Sequence, residues 1–160
     1  MIFYLSGTKG GDFGPRLENK LQKVFDLCSK ELKLTRFKGV VHVRMPRKKG
    51  LLEGRFHGLC EFDGKYETNS GKFWWSTIEL ANTHNVKEMI ATLCHEMVHV
   101  KQFLRKELSA DGRKWLGKDC ATADNPLEEP HEVEAYRLCL LYTSDAADDL
   151  LCVDLGGRRI

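Results

Sequence analysis

An α+β fold is what the sequence predicts, and three observations predict it. An amphipathic segment with helical spacing opens the chain, β-rich segments separated by turn signals occupy its middle, and two further helical segments follow. The middle segments are expected to form a small, mostly antiparallel sheet. A chain of 160 residues with 42% hydrophobic content supports one domain around one modest core.

The elements follow in order. Met1 to Leu5 is apolar but too short, and lacks the basic lead, for a secretory signal. Gly7 to Pro15 reads as a loop without the strand-to-helix spacing of a phosphate cradle. From Arg16 to about Leu34, the residues Leu17, Leu21, Val24, Phe25, Cys28 and Leu32 recur at helical spacing. Val40 to Met45 is β-rich and stops at Pro46. Leu52 to Phe62 alternates, and Asp63-Gly64 marks a hairpin turn. Lys72 to Leu80 is the third strand, with Trp74 and Trp75 on opposite faces, one in the core and the other available to a cleft.

Val86 to Leu104 is one uninterrupted helix. Ile90, Leu93, Met97, Val100 and Leu104 form its core stripe, and Asn85 with Glu88 starts it. The segment His95-Glu96-Met97-Val98-His99 lies in this helix. Residues four apart share a helix face, so both imidazoles reach one ion. Zn²⁺ takes imidazole nitrogen readily, and a catalytic zinc has three protein ligands and a position open to water. Glu96 sits beside the pair, where a carboxylate can take a proton from that water. The other histidines are weaker candidates: His42 and His57 read as strand residues of surface or core, and His84 lies three turns from His95.

A third ligand is sought in Glu128 to Tyr136, where Pro130 suits the first turn of a helix. His131, Glu132 and Glu134 leave such a helix in different directions, so only one of them meets the ion well. Tyr136 is a further candidate, as a donor to the transition state or as a packing residue.

Two paired motifs carry a resemblance. His95 to Gln102 reads H-E-M-V-H-V-K-Q, and Pro130 to Ala135 reads P-H-E-V-E-A, with Trp115-Leu116-Gly117-Lys118 between them. Over most of residues 70–136 the chain resembles the minimal zincin-type metallopeptidase domains of phage genomes, and it is broadly similar to the Spartan/SprT-like group. The resemblance implies a minimal zincin-like fold, with a helix, a short sheet, the H-E-x-x-H helix and a further ligand-bearing helix. It implies a zinc-dependent endopeptidase with Glu96 as general base and His95, His99 and Glu132 as metal ligands, since gluzincins place the ligand glutamate at the start of E-x-x-A. Glu134 and His131 stand as alternatives, and His131 departs from the tryptophan usual at its position. An extended substrate peptide is expected to pair with an exposed edge around Phe73 to Leu80.

The stretch from Cys139 to Ile160 resembles a translated sequencing adapter rather than a protein family. The domain is therefore expected to span residues 1–138, with 139–160 a non-native read-through. Setting aside the two arginines and four aspartates of that stretch moves the formal net charge from +2 to +4. Such a mildly basic balance permits a nucleic-acid neighbour without requiring one. The basic run Arg44 to Gly50 reads as a solvated turn, although a DNA-associated or partner-binding module with a structural metal is the alternative function. Cys28, Cys60, Cys94 and Cys120 fit no C-x-x-C pattern and read as free thiols, with Cys94 turned away from His95 into packing. No apolar run reaches spanning length, so a cytoplasmic monomer acting on a peptide or protein substrate is expected.

Overall fold

The computed structural model describes residues 1–6, 15–45, 57–69, 71–81, 83, 85–120 and 125–151, the side chains of Ser6, Pro126 and 141–151 excepted. Strand β1 (Ile2–Ser6) leads to helix α1 (Pro15–Glu31) and strand β2 (Gly39–Arg44). Strands β3 (Gly58–Thr68) and β4 (Gly71–Leu80) precede helix α2 (Val86–Leu104). A two-residue hairpin, β5 (Lys114–Trp115) and β6 (Lys118–Asp119), then leads to helix α3 (Pro130–Leu151). The α+β class is as the sequence predicts, and both later helices begin at the residues expected of them.

The sheet corrects the expected topology. Its order is β1-β2-β4-β3, with β1 and β2 parallel, β2 and β4 parallel, and only β3 and β4 antiparallel. The reason is β1, a strand hidden in the short apolar run at the start of the chain. The helical crossover α1 carries the chain from β1 to β2, and such a crossover joins parallel strands. A second correction concerns Asp63-Gly64. The chain does not reverse there; β3 continues to Thr68 through a bulge between Phe62 and Gly64. Gly64 supplies the positive φ of 111° that the irregularity needs, and Asp63 Oδ2 accepts a hydrogen bond from Thr77 Oγ1 at 2.8 Å. A third follows: β4 is paired on both sides, so the edge beside α2 belongs to β3 and not to Phe73–Leu80.

One face of the sheet is covered by helices. Val41, Val43, Ile78 and Leu80 point into a core shared with Leu21, Val24, Leu93 and Met97, all fully buried. Trp74 packs against this core, whereas Trp75 lies on the opposite face near His42 and Tyr66. Helix α2 is the centre of the molecule: every residue from Glu96 to Leu104 is buried. Its start is capped by Asn85 Oδ1, which accepts from the backbone N–H of Lys87 and Glu88 at 3.1 and 3.4 Å, a contact worth about 1 kcal/mol. Cys94 packs against Cys28 with the sulfurs 3.6 Å apart, and the described cysteines are free. No helix among the described residues is long and apolar enough to cross a membrane. His84 and the basic run after Met45 lie outside the described residues, while Arg44 pairs with Glu79 at 3.6 Å.

Candidate metal centre

His95 and His99 stand one helical turn apart on α2, and α3 brings Glu132 across to them. The Nε2 atoms of the two histidines are 3.0 Å apart. Glu132 places Oε2 3.1 Å from His95 Nε2 and Oε1 3.4 Å from His99 Nε2. Ligand atoms about 2.0–2.1 Å from a tetrahedral zinc stand about 3.3 Å from one another. The three separations, two of which end on different oxygens of Glu132, match that figure to within a few tenths of an ångström. Two imidazole nitrogens and a carboxylate are also the donor set zinc accepts, so the residues fit the ion.

The protonation of His99 can be derived from its neighbours. Lys101 is buried on α2 and donates to both carboxylate oxygens of Glu134, each at 2.8 Å. Gln102 Nε2 donates to the His131 carbonyl at 2.8 Å and to Glu134 Oε2 at 3.0 Å, groups that only accept. Its amide orientation is thereby fixed, and Oε1 must be the atom 2.8 Å from His99 Nδ1. His99 therefore donates from Nδ1, which leaves Nε2 as the nitrogen that a metal can take, and in the absence of metal a proton on Nε2 bonds to Glu132. His95 has no such support. Its buried Nδ1 has no hydrogen-bond partner among the described residues, and its ring packs on Tyr136 with centroids 4.6 Å apart.

The electrostatics follow from this crowding. Burial alone would depress His99, but the hydrogen-bonded carboxylate of Glu132, with Glu96 nearby, lifts it above the ordinary histidine range. Burial would raise Glu132, yet its hydrogen bonds to His95 and His99 hold it far below the usual carboxylate range. Burial raises Glu96, only partly offset by the nearby His99 and His95. An acid held in a dry setting beside the ligands is a better proton acceptor than an ordinary exposed glutamate.

Of the three acidic-segment candidates, only Glu132 joins the histidines. Glu134 faces Lys101 on another side of α3. His131 is buried with its ring 5.9 Å from that of His99, and its nitrogens face Cys120, Glu129 and Glu132. Tyr136 is half exposed and lines the same cavity, of about 710 Å³, as Glu96, Glu132 and His57. His57 precedes β3 and lies at the cavity wall as an exposed residue rather than in a strand.

Two contributions went unrecognised in the sequence. Gln102 follows His99 by three residues, a spacing that puts it on the same face and was available as a signal. Gly58 had none: it lies at the start of β3, against the Glu96 carboxylate, through a tertiary contact. Compared with protein-family models, with curated proteins and with solved structures, the chain finds no match.

Proposed function

We propose that the chain is a zinc-dependent endopeptidase of minimal zincin type, with His95, His99 and Glu132 as ligands and Glu96 as general base. The observation that carries the reading is the convergence of those three donors at zinc-like separations, with a buried carboxylate one residue along the helix from His95. Zinc held there supplies a Lewis acid that polarises the scissile carbonyl and acidifies water at the open position. Glu96 takes the proton from the attacking water and delivers it to the leaving amine. Tyr136, on the α3 side of the cavity, offers a phenol to the developing oxyanion. Gln102 holds His99 in the ligating tautomer, and Lys101 and Glu134 hold Gln102.

Among the described residues β3 is an edge strand, and its outer side suits an extended peptide. Gly58, Leu59 and Cys60 line the cavity, so a strand added there passes across Glu96 and the ligand triad. Incubation of the zinc-loaded chain with an unfolded protein substrate tests the proposal. Cleavage that stops on chelation and in Glu96→Gln supports it, and cleavage that persists unchanged in Glu96→Gln overturns it.

A further inference from the structure

A second set of donors lies beside the first, and one of its members, His131, lines the same cavity. Cys120 ends the stretch that carries the β5–β6 hairpin, and Glu129 and His131 stand at the start of α3. One donor atom from each lies within 4.8 Å of the other two. His131 is 8% exposed and Cys120 5% exposed.

The hydrogen bonding of His131 is poor for a residue so buried. One nitrogen, Nδ1, faces the Cys120 sulfur at 3.8 Å. The other, Nε2, faces Glu129 Oε2 at 3.4 Å and Glu132 Oε1 at 3.7 Å, both longer than the 2.7–3.2 Å of a sound N–H···O bond. A buried imidazole with only long contacts on both nitrogens is poorly satisfied. A cation bound to one ring nitrogen, with the thiol and the carboxylate beside it, gives that nitrogen a strong partner. Sulfur and nitrogen ligands of one tetrahedral zinc stand about 3.6 Å apart, close to the separation seen here.

We infer that Cys120, Glu129 and one ring nitrogen of His131 form a second metal site, distinct from the triad of His95, His99 and Glu132. A mixed thiolate, imidazole and carboxylate set selects zinc-like divalent ions over magnesium or calcium. Cys120 binds as the thiolate and releases its proton on metal entry. The ion clamps the segment bearing the hairpin to the first turn of α3. Glu132 is the next residue along that turn, so the clamp fixes the backbone from which the first site draws its carboxylate. This site stands whether or not the chain cleaves peptides.

Cobalt distinguishes the two sites, because only the second contains sulfur. The metal-free full chain is titrated with Co²⁺ while the near-ultraviolet thiolate-to-cobalt charge-transfer band is followed, and zinc equivalents are counted by elemental analysis. Two equivalents and a charge-transfer band are expected for the wild type. Cys120→Ser and His131→Ala each lose the band and one equivalent, whereas His99→Ala keeps the band. A single equivalent with no band in the wild type overturns the second site, as does a band that persists in Cys120→Ser. A band with no metal retained by His95 and His99 leaves the second site standing and removes the first.

Discussion

Gly58 lies so close to Glu96 that a methyl group on its α-carbon would stand 2.6 Å from Glu96 Oε1, and equally close to the Thr92 methyl. The strand thus approaches the buried carboxylate at a distance that only glycine permits. Gly58→Ala is expected to push Glu96 aside while leaving the ligands in place. A displacement of about 1 Å costs roughly a hundredfold in rate. Peptidase assays should therefore show kcat falling by about tenfold to a hundredfold with zinc content unchanged.

Replacing the proposed base separates chemistry from binding. Glu96→Gln keeps the volume and removes the proton acceptor. Activity should fall by about 10²–10⁴-fold. Elemental analysis should find the same zinc content as in the wild type, since Glu96 is not among the proposed ligands.

Gln102→Ala removes the acceptor that fixes the His99 tautomer. Loss of a partner of this kind typically weakens metal affinity by about 10–100-fold. Competition against a chromophoric chelator measures it directly. An unchanged affinity would mean that His99 needs no help in presenting Nε2.

Lys101 is buried between Glu107, at 2.7 Å, and Glu134, at 2.8 Å. Lys101→Met strands two carboxylates against the core. Breaking a buried pair by removing one partner costs about 3–5 kcal/mol. Chemical denaturation should show a loss of that order, accompanied by weaker zinc binding because Glu134 no longer anchors Gln102.

Acidity should act in opposite senses on the metal-free fold and on zinc. Without metal, His99 is raised by its bond to Glu132, so its contribution is complete below the unfolded value of about 6.5 and is lost as pH rises through the folded value. Glu132 is depressed, so its contribution is present above about 4.3 and is lost as pH falls through its folded value. The pair therefore stabilises the metal-free protein most between about pH 4.3 and 6.5. Zinc requires both imidazoles unprotonated, so its affinity climbs as pH rises through the elevated His99 value. Thermal unfolding with and without zinc across this range should show the two curves diverging upward.

The helical part of the molecule was legible because its signals are local. Asn85 caps α2 where predicted, Pro130 opens α3, and the four-residue spacing of His95 and His99 survives folding because α2 is continuous. The spacing left Glu132, Glu134 and His131 open as third ligand; what separates them is tertiary, since Glu134 is taken by Lys101 and His131 by its own surroundings. The sheet was harder. Parallel pairing depends on a crossover between distant segments, and Ile2 meets Val40 only across α1. Asp63-Gly64 carries a strong turn signal, yet β4 offers partners on both sides of it, and the longer ladder absorbs the glycine as a bulge. Trp115-Leu116-Gly117-Lys118 closes the β5–β6 hairpin as a tight turn, in which Leu116 and Gly117 both take positive φ, 49° and 82°.

The anchoring of His99 runs through contacts from which bulk ions are largely shut out. Dissolved salt weakens interactions between exposed charges over about 8–10 Å, but it reaches enclosed pairs far less. Lys101 and Gln102 are both enclosed. The arrangement of the proposed ligands should therefore hold in brine as it does in dilute buffer.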